Sequence, residues 1–420
     1  MATSLLGEFM SSDLTQWSEA DQVQLFSGEG ILELISAMYA QASGPKRCVL
    51  IELHHRPGAG VSGLFEVVPV VDSAEEVAVQ QPSLFVVATT ETISEDAPNV
   101  ARVDTRDGQI VVWEHPNDPG LPGLATASIP ERVQQQWGQG ADLLDLQTVS
   151  YRPLRRAVLK AKFSHESSWY FLKVLRKDAQ LLWHKHVLLA QAGVPVPQVV
   201  GAVVDEVVAF RTVPGVPMAR AIMDSATPPI AGSLIIDLLT SFPASLSDVP
   251  VRPAWTDRLH WYAHAARTAV PQYSRRIDAL KASIDEVLER AERGPLVTNH
   301  GDFYEANVFV SNGTISGLID IDSAGPGYLI DDLACFIGHL AVLPTLDRRY
   351  AHVPGFVDYY LNEFAQYLEA QGISVSGLYA RSASVVLTLI AGARDEEDPH
   401  WESSALARLE VAEQLFSKVA

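Results

Sequence analysis

The stretch VTNHGDFYEANVFVSNGTISGLIDIDSAG, residues 297–325, decides how the C-terminal half of the chain folds. A short apolar run ends in a turn that carries Asp302, and Asn307 follows it at a spacing of five residues. The next apolar run reaches SNGT at 311–314, which is typical of a two-residue hairpin turn. Because a hairpin returns the chain to its start, we expect Asp320 to lie beside Asn307.

These residue types suit phosphoryl transfer. That reaction needs a carboxylate that orients or deprotonates the acceptor hydroxyl, together with oxygen ligands for the Mg²⁺ bound to the phosphates. Asp302 supplies the carboxylate, and Asn307 and Asp320 supply hard oxygen donors. The segment therefore predicts a phosphoryl-transfer site.

The order of the motifs also points to a family. HGDFYEAN (300–307), LIDID (318–322) and DDLA (331–334) together resemble the kinase-fold phosphotransferases of the aminoglycoside phosphotransferase and choline kinase group. The resemblance covers residues 149–420 and implies an α+β, bilobal protein-kinase-like fold, with a small β-rich N-lobe and a helical C-lobe, preceded by an additional N-terminal α+β domain. We predict an accessory, cap-like domain over residues 1–146 and the N-lobe over residues 147–214. The C-lobe, with the catalytic loop and the acceptor site, is predicted over residues 215–420.

The resemblance assigns roles within the C-lobe. It makes Asp302 the catalytic carboxylate, and Asn307 and Asp320 the Mg²⁺ ligands. His300 would support the loop instead of titrating in the reaction. Asp332 opens the next helix, where the resemblance implies a capping or loop-bracing role.

The nucleotide site is expected upstream. Lys173 lies in the apolar run YFLKVL, where a cation is costly unless an anion meets it, and the resemblance equates it with the lysine that binds the α and β phosphates. FRTVPGVP (210–217) resembles the segment that joins the two lobes, so backbone groups from Arg211 to Val213 would contact the purine of ATP or GTP.

Two features depart from the protein-kinase pattern. The hairpin expected to cover the phosphates has no glycine and carries Arg155 and Arg156, which either bind phosphate through the guanidinium fork or are solvated surface side chains. The helix after Lys173 contains no glutamate, so the usual lysine–glutamate ion pair is absent. Asp178 either caps that helix or pairs with Lys173.

The acceptor is expected between Asp302 and the C-terminal helices. RDEEDPHWE (394–402) supplies four adjacent acids that could bind a cationic acceptor, Asp395, Glu396, Glu397 and Asp398. The alternative is a solvated helix end.

The region before residue 147 predicts a helix over 29–42 and a mostly antiparallel sheet, from short β-branched and aromatic runs between turn residues. Its role is open between capping the nucleotide lobe, dimerisation and binding a regulator. Two apolar helices in the C-terminal half, at 331–343 and 382–393, are expected in the core and are read as too short to cross a membrane.

Composition narrows the class of protein. The chain has 31 basic and 51 acidic side chains, a net charge of −20, which argues against binding to nucleic acid. Two cysteines form no disulfide framework, and the N-terminal segment lacks a basic stretch followed by a long apolar one. We therefore expect a cytoplasmic protein without membrane partners.

The preferred function is nucleotide- and Mg²⁺-dependent phosphorylation of a hydroxyl on a small molecule, namely an amino sugar, a sugar, an amino alcohol or an aminoglycoside-like compound. The alternative is a nucleotide-binding pseudokinase that acts through its N-terminal domain. The missing glutamate and missing glycine-rich loop favour the alternative, whereas Lys173, Asp302, Asn307 and Asp320 oppose it. The sequence leaves the oligomeric state open.

Overall fold

The computed structural model describes residues 17–43, 46–56, 59–69, 84–105, 108–249, 251–394 and 398–419. The chain forms two compact units. One is drawn from Met1–Gln180 with Val200–Phe210, and the other from Leu181–Val199 with Arg211–Ala420.

The first unit begins with two helices and a five-stranded antiparallel sheet of order β1-β2-β3-β5-β4. The elements are α1 (Glu19–Ser27), α2 (Glu29–Ser43), β1 (Lys46–Arg56), β2 (Gly60–Pro69), β3 (Leu84–Thr89), β4 (Val100–Asp104) and β5 (Gln109–Glu114). The predicted helix and antiparallel sheet are confirmed. Strand β4 was not predicted, because its sequence VARVD is short and carries charge.

Both faces of this sheet are covered, which explains its uninterrupted apolar runs. In β5, Ile110 and Val112 pack in a cluster with α1 and α2, whereas Val111 and Trp113 point into a second cluster. Side chains alternate between the two faces of a strand, so a strand buried on both faces must be apolar at every position.

The second cluster continues into a four-stranded sheet of order β6-β7-β8-β9. Its elements are α3 (Leu124–Ser128), α4 (Pro130–Trp137), β6 (Leu143–Arg152), β7 (Arg156–Phe163), β8 (Tyr170–Leu175) and β9 (Val207–Arg211). Trp113 from the first sheet and Tyr170 and Leu172 from the second share this one core. The boundary at residue 146 stays a prediction, but the two sheets of the first unit are joined by a continuous apolar interior.

The second unit is mainly helical, as predicted for a C-lobe. Its elements are α5 (Ala179–Gln191, which begins in the first unit), β10 (Val216–Pro217), α6 (Met218–Met223), α7 (Gly232–Thr240), α8 (Leu259–Ala269), α9 (Ser274–Arg290), β11 (Val297–Asn299), β12 (Val308–Ser311), β13 (Thr314–Leu318), β14 (Gly325–Gly327), α10 (Leu329–Leu346), α11 (Val353–Ala370), α12 (Val375–Leu389) and α13 (Trp401–Phe416). Strands β10, β12 and β13 form one small sheet, and β11 pairs with β14.

The two apolar helices of the C-terminal half are longer than predicted. Leu329–Leu346 and Val375–Ala393 have 18 and 19 residues, so by length and composition both could cross a membrane, and the prediction that neither is long enough was wrong. Within each, 67% of the most apolar window is buried inside the protein. Their position in the core accounts for their composition, as the sequence indicated.

Candidate active site

The hairpin that follows the predicted catalytic loop, HGDFYEAN (300–307), has the predicted turn. Asn312 and Gly313 adopt φ values of 51° and 74°, which is the left-handed pair that a two-residue hairpin turn with the native twist requires. Glycine adopts this region without steric cost, and asparagine tolerates it. The two strands then pair antiparallel, with a register shift between Phe309 and Val310 and with Val308 opposite Leu318.

One main-chain and one side-chain hydrogen bond bring the three predicted functional residues together. The N–H of Ile319 donates to the main-chain oxygen of Asn307 at 2.9 Å, so Asp320 follows immediately beside Asn307, and that prediction is confirmed. The side-chain Nδ2 of Asn307 donates to the main-chain oxygen of Asp302 at 3.0 Å. Asp320 has φ 59°, and both aspartates are half-buried. These contacts fix the backbone that carries the two carboxylates.

Asp332, in the first turn of α10, holds the start of the catalytic loop. It is buried, and its carboxylate accepts the N–H of His300 at 2.6 Å and that of Gly301 at 2.8 Å. Gly301 has φ 80°, and a Cβ there would lie 3.0 Å from the carbonyl oxygen of Ser323. Burial raises the pKa of Asp332 to about 7, and the two N–H bonds oppose that rise. These contacts brace the loop, one of the two roles expected for Asp332.

His300 connects the same loop to the end of β13. Its Nε2 lies 3.1 Å from the carbonyl oxygen of Ile319, and its Nδ1 accepts the N–H of Asp302 at 3.3 Å. One nitrogen therefore donates and the other accepts, as in a neutral imidazole. Burial lowers the pKa of His300 to about 4, so the ring stays neutral at pH 7 and supports the loop without exchanging protons.

The donor set fits Mg²⁺ better than a metal held by protein alone. Within the described ranges, no group of three or more His, Cys, Asp or Glu side chains could bind a metal ion. Because the amide nitrogen of Asn307 is used by Asp302, its oxygen Oδ1 is the atom left to act as a ligand, beside the carboxylate of Asp320. Mg²⁺ is usually bound by one or two protein oxygens together with substrate phosphates and waters.

Sequence reasoning missed Lys185, on α5. This lysine is 3% exposed, and its Nζ donates to the main-chain oxygen of Asp322 at 2.8 Å. Burial, aided by the charge of Arg252, lowers its pKa to about 8, while Asp322 opposes the shift. Lys185 thus holds the segment that follows Asp320 in place. It lies on α5, the helix that lacks the expected glutamate. The criterion that found Lys173, a cation inside an apolar run, would have found it in LLWHKHVLL.

A cavity of about 530 Å³ opens beside the catalytic loop, and Asp302 forms part of its wall. It combines aromatic rings with charges of both signs. The aromatic and charged lining residues are Arg252, Trp255, Asp257, Arg258, Arg293, Asp302, Tyr328, Asp331 and Asp332. A molecule bound in this cavity would therefore lie against Asp302.

The predicted acceptor acids do not contribute to the described part of this cavity. Asp395, Glu396 and Glu397 lie outside the described residues. Asp398 is exposed, and its Oδ1 accepts the N–H of His400 at 2.9 Å in the turn before α13. The acceptor role of these four acids stays a prediction.

The nucleotide candidates of the first unit lie on the four-stranded sheet. Lys173 is half-buried on β8, on the face opposite to the buried Tyr170, Leu172 and Val174, and it faces Val158 of β7 across the strands. Asp178 precedes α5, and its carboxylate lies 4.0 Å from Nζ of Lys177 with 66% of the side chain exposed.

The first N–H of α5 is bound elsewhere. The donor is Ala179, and its acceptor is Oε2 of Glu206, at 2.8 Å. Glu206, and not Asp178, therefore accepts the N–H of Ala179. Capping of this helix was one of the two roles predicted for Asp178.

The arginine-rich hairpin between β6 and β7 is fixed from the preceding part of the first unit. Asp118 is buried and accepts the hydroxyl of Tyr151 at 2.7 Å and the N–H of Leu154 at 2.9 Å. Arg155 forms an ion pair with Glu91 and is half-buried. Of the predicted pair, only Arg156 has no carboxylate within ion-pair distance in the part of the chain that the structure describes.

Within the predicted lobe linker, the chain passes from the first unit to the second between Phe210 and Arg211. The N–H of Arg211 donates to the carbonyl oxygen of Gln198 at 2.9 Å. Val213 is buried against Gly317, whose ideal Cβ would lie 2.7 Å from the valine side chain. Their contact with a purine stays a prediction.

Comparison with known proteins gives one family match. The model of the phosphotransferase enzyme family matches residues 155–380. No curated protein matches the chain.

Several solved structures are similar. A thermostable mutant of aminoglycoside phosphotransferase APH(4)-Ia is 14% identical, with a TM-score of 0.48, covering 69% of this chain and 98% of its own. Spectinomycin phosphotransferase APH(9)-Ia is 14% identical, with a TM-score of 0.41 and coverages of 68% and 96%. An ethanolamine kinase of Plasmodium vivax is 13% identical, with a TM-score of 0.43 and coverages of 66% and 84%.

Proposed function

Because the chain belongs to the phosphotransferase enzyme family, whose model matches residues 155–380 of its 420, we propose that it transfers the γ-phosphoryl group of ATP or GTP to a hydroxyl of a small molecule. Membership confirms the resemblance drawn from the HGDFYEAN loop, the kinase-like fold class and the prediction of a phosphotransferase enzyme. The donor, the metal ion and the acceptor are our proposal.

One observation carries it. Asp302, Asn307 and Asp320 are separated in the sequence, yet a side-chain hydrogen bond of 3.0 Å joins Asn307 to Asp302, and a main-chain bond of 2.9 Å joins Asn307 to Ile319, the neighbour of Asp320. Phosphoryl transfer is catalysed mainly by positioning and electrostatics, so a rigid set of one carboxylate and two metal ligands is the arrangement that the reaction needs.

Each residue has a defined task. Asp302 orients the acceptor hydroxyl and accepts its proton as the oxygen forms its bond to phosphorus. Asn307 and Asp320 would hold Mg²⁺, which supplies charge neutralisation on the phosphates when bound. His300, being neutral, keeps Asp302 in place without competing for that proton.

The acceptor would be a sugar, an amino sugar, an amino alcohol or an aminoglycoside-like compound. The test is Mg²⁺-dependent release of ADP or GDP across a panel of these compounds, with Asp302→Asn and an exposed aspartate on α7, Asp237→Asn, as the matched control. We expect turnover that depends on the acceptor and falls by about 100-fold or more in Asp302→Asn only.

A second variant tests the metal site. Asp320→Asn should raise the Mg²⁺ concentration needed for half-maximal rate, because a charged ligand becomes a neutral one. Nucleotide binding without turnover for any acceptor would contradict the proposal and favour the pseudokinase, for which the missing glutamate on α5 is the supporting observation.

A further inference from the structure

The charges around the catalytic cavity are not distributed as a cationic acceptor would require. Three arginines line the cavity, Arg252, Arg258 and Arg293. A fourth, Arg381, is fully buried, and its partners Asp331 and Thr256 are both lining residues. This is an arginine-rich surround for one catalytic carboxylate.

The lining carboxylates other than Asp302 are already engaged. Asp257 forms an ion pair with Arg293. Asp331 binds the guanidinium of Arg381 at 2.9 Å. Asp332 accepts two N–H groups of the catalytic loop. Each of the three thus already has a donor from the protein.

Two of the arginines have no such partner. Arg252 donates to the hydroxyl of Ser323 at 3.1 Å, and Arg258 lies over the rings of Trp255 and Tyr262, 5.1 and 5.8 Å from their centroids. No carboxylate of the described residues lies within ion-pair distance of Arg252 or Arg258. The cavity thus contains two guanidinium groups that no described carboxylate pairs with directly.

Arg258 has the geometry of an anion receptor. Stacking on aromatic rings occupies the face of the guanidinium and leaves its edge, where the N–H donors lie, for a planar anion. Its Nε is buried and has no hydrogen-bond partner among the residues that the structure covers. Arg258 also directly precedes the N-terminus of α8, an 11-residue helix whose dipole adds positive potential there. Arg258 and Asp302 line the same cavity, and the charges of both act on the pKa of Tyr262. The arginine therefore lies near the catalytic carboxylate.

We propose that the acceptor carries a carboxylate or another planar anionic group near the hydroxyl that is phosphorylated, and that Arg258 binds this group. The proposal rests on the proposed function and assigns its acceptor to the hydroxy acids, such as acidic sugars, in place of the neutral and cationic compounds named there. Trp255 would cover the apolar face of the ligand, since aromatic rings pack well against sugar rings and carbon chains.

The test compares acceptors that differ in charge. Glucuronate, glucose and glucosamine form one series, and glycerate, glycerol and 2-amino-1,3-propanediol form a second. ADP release is measured for the full chain, for Arg258→Gln and for Arg275→Gln, an exposed arginine on α9, as the matched control. Binding of the same compounds to the protein with ADP and Mg²⁺ is measured by calorimetry.

We expect the acid of at least one series to bind most tightly and to be the best acceptor. Arg258→Gln should weaken that acid by roughly 10- to 100-fold, the effect of losing a charged hydrogen bond, and should leave the KM for ATP unchanged. Arg275→Gln should change neither value. Preference for the amine, equal binding across both series, or binding of none of the six compounds would overturn the proposal.

Two other outcomes separate the possible failures. A higher KM for ATP in Arg258→Gln, with unchanged acceptor binding, would assign the arginine to the nucleotide phosphates and overturn the proposal. If the acid binds through Arg258 but receives no phosphate, the anion site stands and the proposed transfer reaction fails.

Discussion

Two turns of this molecule are each held by one buried aspartate, and they differ in what they leave free. Asp332 binds the N–H groups of His300 and Gly301 in the catalytic loop, and Asp118 binds Leu154 and Tyr151 in the arginine-rich hairpin. At the catalytic loop, the carboxylates predicted to act in catalysis, Asp302 and Asp320, are half-buried and are not the bracing acid. In the hairpin, by contrast, one of the two predicted phosphate ligands is paired with a carboxylate.

The difference shows how a rigid turn becomes a functional one. Both turns use a carboxylate as a double acceptor for groups that would otherwise be buried without partners. In the loop, the bracing acid, Asp332, and the predicted catalytic acids are separate residues. In the hairpin the neighbouring Arg155 takes part in the bracing, through Glu91.

The largest effect should come from the same change made in both turns. In Asp332→Asn and Asp118→Asn, the new NH₂ group faces a donor, so each variant should lose about 2–3 kcal/mol of unfolding free energy. Because Asp332 holds the catalytic loop, we expect Asp332→Asn to lower kcat by about 100-fold as well. Asp118→Asn should leave kcat within about threefold and raise the KM for the nucleotide, if the hairpin contacts phosphate.

Chemical denaturation and steady-state kinetics measure both, with the exposed Asp237→Asn as the control. Equal losses of kcat in the two variants would break the comparison, since the two turns would then be equally coupled to catalysis.

A second contrast concerns two glutamates. Glu91 is paired with Arg155, whereas Glu305 of the catalytic loop is buried, and its Oε2 has no partner among the described residues. Burial raises the pKa of Glu305 to about 7. Its folded-state pKa thus exceeds the unfolded value, so its contribution to stability is complete below the unfolded pKa and is lost as the pH rises through about 7.

Glu305→Gln removes this dependence, because glutamine stays neutral. We expect the variant to unfold with a free energy higher than that of the unmodified protein by on the order of 3 kcal/mol at pH 8, with the gap closing toward pH 4. Denaturation of both proteins at several pH values gives the difference directly. A gap that does not change with pH would mean that Glu305 has the same pKa in the folded and the unfolded protein.

A smaller effect is expected for Lys185, the buried polar group that α5 places against the segment after Asp320. Lys185→Met leaves the buried carbonyl oxygen of Asp322 without its donor and loosens the segment after Asp320. We expect kcat to fall about tenfold and the Mg²⁺ requirement to rise, which a structural role away from the metal would not produce. Lys177→Met, with the lysine side chain 83% exposed, is the control and should match the unmodified protein.

One part of this comparison, the turn beside the catalytic loop, could be predicted from the sequence because it depends on local turn chemistry. Asn312 and Gly313 are the residues that a left-handed turn requires, so the hairpin and the approach of Asp320 to Asn307 followed from a few neighbouring positions. A bracing role for Asp332 was among the expectations because its motif has a family counterpart.

The other part depends on contacts between positions far apart in the chain. Glu91 pairs with Arg155 across 64 positions, and Lys185 contacts Asp322 across 137. Neither periodicity nor turn chemistry specifies which distant charges meet, since that is set by the packing of whole elements. Asp118 likewise lies 36 positions before Leu154, in the Pro- and Gly-rich stretch HPNDPGLPGL (115–124).

The smallest expected effect separates the two arginines of the hairpin. Arg155 is bound to Glu91, so Arg155→Ala should lower the unfolding free energy by about 1 kcal/mol and leave the KM for the nucleotide unchanged. Arg156, which has no carboxylate partner in the described part of the chain, is the residue that can turn to a phosphate. Arg156→Ala should therefore raise that KM by roughly 3- to 10-fold, equivalent to about 1 kcal/mol, with unchanged stability.

The double variant distinguishes the two roles. If each arginine acts alone, the stability loss and the KM increase should simply add, because the two changes would act on different partners. A KM increase in Arg155→Ala equal to that in Arg156→Ala would show that the ion pair with Glu91 opens when nucleotide binds. The hairpin would then resemble the catalytic loop, with a bracing contact that is released for function.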